Sequence, residues 1–186
     1  MKNKEIVIPA AALTLICLAA TLLLSLTNMV TKGQIARVQQ EAADAARKLV
    51  CADAAEFKEA PEYADADVYQ ALDDAGNLIG YAVITSGKSY GGDIDVMTGF
   101  DTEGKITGVQ ILNIEDTPGL GMNAKKESFR NRFLEKTAGS LAASKTPSSD
   151  SEIQAITGAT ITSTAVTKCV NDAYLAVFSD EKGGAE

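Results

Sequence analysis

The pattern of apolar and polar positions changes period along the chain, and each change marks an element. From Ile6 to Val30 no charged residue appears over 25 positions, more than the roughly 20 apolar residues that cross a bilayer as a helix. From Gln34 to Val50 the residues Ile35, Val38, Ala42, Ala45 and Leu49 fall on one helical face, with Glu41, Asp44, Arg47 and Lys48 between them. Cys51 to Ala66 is rich in alanine and acids and is broken by Pro61, so it reads as a helix end and loop. From Asp67 the period becomes two. Asp67–Leu72, Leu78–Thr85, Ile94–Phe100 and Lys105–Asn113 are predicted strands, joined by turns at 73–77 and 101–104 and by the glycine-rich loop 86–92. Such a series makes an antiparallel meander. Ala124–Lys136 places Phe129, Phe133 and Leu134 among Lys125, Lys126, Arg130 and Arg132, the pattern of a short amphipathic helix, and 137–150, poor in apolar residues, reads as a surface loop. Finally Val166, Cys169, Val170, Ala173, Tyr174 and Val177 recur at three- and four-residue spacing and predict a last helix. The expected fold is α+β: an N-terminal transmembrane helix, then a domain with an antiparallel sheet flanked by helices. Its expected parts are a cytoplasmic N-terminus at 1–5, the membrane helix at 6–30, a helix and connector at 31–66, the folded domain at 67–178 and a polar tail at 179–186.

Composition narrows the chemistry. With 186 residues, 46% of them hydrophobic, there is material for one core and one membrane segment. A net charge of −8 argues against nucleic acid, whose phosphates an acidic surface repels. Histidine is absent, which removes histidine general bases, histidine-ligated haem and histidine-bearing zinc sites. Cys17, Cys51 and Cys169 lie far apart with no C-x-x-C, so no four-cysteine cluster can form within the chain. No metal site is expected, and any redox centre here is organic. Sequence leaves a Cys51–Cys169 disulfide and two buried thiols both open. Lys2 and Lys4 precede an apolar run that exceeds the about 7–15 residues of a cleaved signal. Ile16 is too large to precede a lipidated cysteine at Cys17. An uncleaved anchor is expected, with everything after Thr31 outside the cell.

Two stretches carry candidate chemistry. Thr157-Gly158-Ala159-Thr160, extended by Ile161-Thr162-Ser163, feeds the last helix. A helix start presents unpaired N–H groups and the positive end of the macrodipole, which suits a phosphate, and Gly158 and Ala159 allow close approach. Threonine is also an ordinary N-cap, so the stretch alone leaves an anion site and a plain turn both open. Thr117-Pro118-Gly119-Leu120-Gly121 is a Pro-Gly turn flanked by a further glycine. Gly87-Lys88-Ser89 is not a phosphate-binding P-loop, since the leading glycine is missing and a strand follows.

Ile156-Thr157-Gly158-Ala159-Thr160 with Ile161-Thr162-Ser163 resembles the flavinylation motif of FMN-binding domains. Tyr90-Gly91-Gly92, Gly104-Lys105-Ile106-Thr107-Gly108 and Thr117-Pro118-Gly119-Leu120-Gly121 stand in the order of the same domain's landmarks. Two positions depart from the pattern: Asp116 stands where a glutamate is usual, and Ile114 where a histidine is often found. Across about residues 1–178 the order of parts resembles the G subunit of Rnf-type ion-translocating electron-transport complexes. The C subunit of sodium-pumping NADH:quinone reductases is similar but usually carries extra insertions. The resemblance implies an oxidoreductase subunit without catalytic residues of its own, relaying electrons between ferredoxin and NAD chemistry while the complex moves an ion. It implies FMN held through a phosphoester on Thr160, installed by a flavin transferase, with other membrane subunits as partners. Thr157, Gly158, Ala159, Ser163, Asp116 and Thr117 would surround the cofactor. Tyr90, Leu120 and Met122 would pack on its isoalloxazine, with Gly91, Gly92 and Gly119 admitting it closely. The implied location is the cell membrane, crossed once, with the C-terminal domain outside. A stand-alone anchored flavoprotein of an extracellular electron-transfer or reductase chain, and an anchored domain without redox function, are the competing readings.

Overall fold

The computed structural model describes residues 2–61, 63 and 66–179. The polar tail, apart from Ser179, and Met1 lie outside the described residues. The chain divides into two compact units, one ending at Ala42 and the other beginning at Ala43.

The described residues of the first unit are all helical. Helix α1 (Lys2–Val50) continues through the predicted amphipathic stretch and contains Pro9, where one helical hydrogen bond is lost near its start. Every residue from Ile6 to Ile35 is exposed. Within that stretch the hydroxyls of Thr14, Thr21 and Thr27 each donate to the carbonyl four residues back, at 2.7–2.9 Å. Polar groups satisfied inside the helix are a requirement for a segment surrounded by hydrocarbon. The segment is long and apolar enough to cross a membrane.

The second unit is built on the expected meander. Strands β1 (Glu56–Glu59), β2 (Asp67–Leu72), β3 (Leu78–Lys88), β4 (Asp93–Asp101) and β5 (Ile106–Ile114) form one antiparallel sheet in chain order. Strand β1 falls in the stretch expected to be loop and adds an outer strand against β2, Phe57 opposite Ala71. The β2–β3 and β4–β5 turns share one device. Asp73 accepts from the N–H groups of Ala75 and Asn77, Asp101 from those of Glu103 and Lys105, and Gly76 and Gly104 supply the left-handed residue, φ 82° and 81°.

Beyond β5 the predicted single helix is broken into three short pieces: a 3₁₀ turn (Gly121–Lys125), helix α2 (Glu127–Arg130) and a second 3₁₀ turn (Asn131–Phe133). Lys126, extended at φ −73° and ψ 139°, interrupts the first two. The break serves packing, because it turns both Phe129 and Phe133 into the core, ring centroids 5.5 Å apart. Inside the predicted surface loop, β6 (Ala142–Ser144) forms and pairs in parallel with β7 (Glu152–Gln154), which lies just beyond that loop. Helix α3 (Thr160–Phe178) closes the domain.

The sheet has a core on each face. On one, α3 sets Val166, Cys169, Val170 and Ala173 against Val83, Val96 and Phe100, and Phe178 meets the rings of Phe100, Tyr81 and Tyr174. Burying each such side chain stabilises by about 1.5–3 kcal/mol before the entropy of ordering it is subtracted. On the other face the last turns of α1, through Ala43, Ala46 and Val50, cover Ala71, Ala82 and Met97. There Gly99 and Gly108 are cross-strand partners. A Cβ on either would collide with the Val50 backbone, whose carbonyl accepts from Thr107 Oγ1 at 2.6 Å. Cys51 belongs to this face and Cys169 to the opposite one, so the sheet separates them and both thiols are free. Burial pushes each up to about 11.

Candidate functional site

Helix α3 begins without a side-chain cap. Ala159, its N-cap, has no acceptor, so the N–H groups of the first turn lack the partner that threonine, serine or aspartate would supply. The chain is fixed there by other means. Ala159 N–H bonds the Ile156 carbonyl at 3.0 Å across a turn in which Gly158 takes φ 76°. Ser163 Oγ accepts from Ile156 N–H and donates to the Ala159 carbonyl, both at 2.9 Å. Ser163 therefore builds the turn from inside the protein, fully buried, while Thr160 stands half-buried as the first helical residue.

Thr160 lines a cavity of about 510 Å³, within the range of about 300–1,000 Å³ usual for small-molecule sites. Four segments form its walls. Tyr90 comes from the β3–β4 loop; Asp116, Thr117, Leu120 and Gly121 from the segment after β5; Lys145 from the end of β6; and residues 158–162 from the start of α3. Seven of the residues singled out in the sequence thus meet here: Tyr90, Asp116, Thr117, Leu120, Gly158, Ala159 and Thr160. Thr157, exposed, and Ser163, Gly91, Gly92, Gly119 and Met122 do not line it. Gly91 and Gly92 are small for a different reason than ligand access: a Cβ at either would strike Glu115. Gly119, at φ 79° with open space around it, serves the turn.

Asp116 ties these segments together. Its Oδ2 accepts from Ser89 Oγ and Thr162 Oγ1, each at 2.5 Å, and its Oδ1 from Gly91 N–H at 2.6 Å. Burial alone would push its carboxyl up, but the three donors outweigh that and hold it below the usual carboxylate range. Gly121 is required beside it, since a Cβ there would collide with the Asp116 carboxylate and the Thr162 hydroxyl. Four lining residues lie beyond the candidates drawn from sequence. Gly121, Ile161 and Thr162 stand there only as parts of longer motifs, and Lys145 gives no signal, sitting in a polar run without period.

A family model described as an FMN-binding domain matches residues 89–175, a range that contains every segment of the cavity wall. Over 161 residues the chain is 34% identical to the G subunit of the proton-translocating ferredoxin:NAD(+) oxidoreductase complex of Clostridium ljungdahlii, an alignment covering 87% of this chain and 85% of that one. The chain belongs to the G-subunit family. A second G subunit, from the Na(+)-translocating ferredoxin:NAD(+) oxidoreductase complex of Acetobacterium woodii, is also 34% identical, over 86% of this chain and 85% of that one. Among solved structures, the C subunit of the Na(+)-translocating NADH-quinone reductase of Parabacteroides distasonis shares the fold. Its TM-score is 0.53 at 23% identity, over 65% of this chain and 64% of that one.

The walls suit FMN by their chemistry. Hydroxyls, open helix N–H groups and the Lys145 ammonium are donors for a phosphoryl group, while Tyr90, Leu120 and Ile161 offer apolar surface to a flat ring. In this G-family chain Ile114 is buried in the core on the α3 side of the sheet, so the position where a histidine is often found serves packing.

Proposed function

We propose that the chain is the electron-relay subunit of a membrane-bound complex that couples electron transfer between ferredoxin and NAD to ion translocation, carrying FMN as a phosphoester on Thr160. The observation that supports this most directly is the position of Thr160, a half-buried hydroxyl on the cavity wall at the first residue of an uncapped helix. A phosphodiester keeps one negative charge. Because Ala159 brings no acceptor of its own, no cap side chain competes with the ester oxygens for the first-turn N–H groups. Lys145 adds a cation on the same wall. Bound FMN would supply reversible electron uptake; the chain supplies place, orientation and electrostatic surroundings.

Attachment needs a flavin transferase. The Thr160 hydroxyl oxygen bonds to the FMN phosphorus of FAD, the pyrophosphate bond to AMP breaks, and the hydroxyl proton passes to solvent. In this reading Ile6–Val30 anchors the chain by a single crossing, and the cationic Lys2 and Lys4 hold the N-terminus inside, leaving the cavity-bearing unit outside. A tether has a use there, since a cofactor lost outside the cell is not replaced from the cytoplasmic pool. The extent of identity to G subunits favours this role over that of a quinone-reductase C subunit, for which only the fold speaks.

The test is in-gel flavin fluorescence of denatured protein produced together with a flavin transferase. Thr160→Ala removes the ester oxygen, so fluorescence and the FMN mass increment of the intact chain should vanish while the folded domain persists. Thr157→Ser keeps a hydroxyl at an exposed position outside the cavity wall and should remain fluorescent. A fluorescent Thr160→Ala band would place the attachment elsewhere.

A further inference from the structure

Asp116 is an unusual component for a cavity that receives an anionic cofactor. It is 4% exposed, and among the described residues no lysine or arginine forms an ion pair with it. A buried carboxylate without a cation is costly unless its lone pairs are satisfied. Here they are: two hydroxyls and one N–H converge on it, and Gly121 leaves the space its carboxylate needs. None of the three donors carries charge. The carboxylate is stabilised without being neutralised, so its negative charge stays in the cavity wall.

We propose that Asp116 sets the reduction potential of the cofactor, acting as a fixed negative charge that favours the oxidised form. This rests on the reading that FMN occupies this cavity. Two-electron reduction from an external donor with uptake of one proton leaves the flavin ring with one additional negative charge. A carboxylate fixed in the same wall disfavours that charge, and the midpoint potential falls. Packing would require only something that fits between Ser89, Gly91 and Thr162. The charge is what acts on the cofactor.

Charge and packing separate in two variants of the full chain, loaded with flavin in cells and purified in detergent. Asp116→Asn keeps the shape and removes the charge. At fixed ambient potential its reduced-to-oxidised ratio should rise about tenfold, an upward shift of about 30 mV for a two-electron couple. Ser89→Ala, outside the cavity wall, removes one donor that partly offsets the charge, so its midpoint should move down. Loosening of the loops would instead move both variants the same way. Spectroelectrochemical titration with mediators reads both, and in-gel fluorescence verifies loading. A flavin-bearing Asp116→Asn with the parent midpoint overturns the proposal while leaving the site reading intact. If Asp116→Asn yields no flavin-bearing protein, Ser89→Ala decides alone, and an unchanged or raised midpoint overturns the proposal. A parent chain without flavin overturns the site reading and this proposal with it.

Discussion

A carboxylate held by three donors also makes stability depend on pH. The Asp116 carboxyl titrates below its ordinary range in the folded chain, against about 3.9 in an unfolded one. A depressed folded value stabilises above the unfolded pKa, and that stabilisation is lost as pH falls through the folded value. Asp73 is lowered by hydrogen bonds from Asn77 and Glu152 by those from Ser148, but both carboxylates lie at the surface, where solvent screens them, and contribute little. Asp116→Asn should therefore cost about 1.5–3 kcal/mol at pH 7, the scale of one hydrogen bond to a charged group. Its deficit relative to the parent should shrink below about pH 4. Urea unfolding of the detergent-solubilised chain, followed by circular dichroism at both pH values, measures it. A deficit that stays constant would show that the charge contributes nothing to stability. The network behind this prediction was only half legible in the sequence. Asp116 and Thr162 each sit in a recognisable stretch, but their pairing spans 46 positions, and nothing local announces which hydroxyl a carboxylate will meet.

Among the elements, those with a strong internal period were legible and those made by tertiary contact were not. Strands β2 to β5 alternate and are separated by Asp-led turns or a glycine-rich loop, so each one speaks for itself. Strand β1 is Glu-Phe-Lys-Glu, with one apolar residue, and becomes a strand only because β2 offers a free edge. The three-residue β6 and β7 likewise exist through each other. A helical period over 124–136 was present in the residues, but bringing two phenylalanines to one core required a break at Lys126. The junction of α1 with the sheet is the most exacting of these contacts, and Gly108 is pressed against it. Gly108→Val should destabilise the domain by at least about 1–3 kcal/mol, the usual cost of overpacking, because the added atoms meet Val50 backbone rather than a movable side chain. The same substitution at Gly33, where nothing lies within 4 Å, should leave the unfolding free energy within about 0.5 kcal/mol of the parent. Equal stabilities for the two variants would mean that the end of α1 leaves the sheet readily.

For the molecule as a whole, the proposed orientation predicts that protease added to intact, wall-stripped cells digests the unit beginning at Ala43. Immunoblotting against that unit reads the result, and protection until the cells are opened would reverse the topology. The Asp116 bonds add a constraint in time. They join positions 25, 27 and 46 residues apart, and such distant contacts close only after the intervening chain has been ordered. Thr162, one of the three donors, follows the proposed acceptor Thr160 by two residues, so a nascent chain that has just exposed Thr160 still lacks a finished wall. A modifying enzyme that reads the assembled cavity can act only on a domain that has already folded. With FMN attached as proposed, flavin on the chain would serve as a record of completed folding.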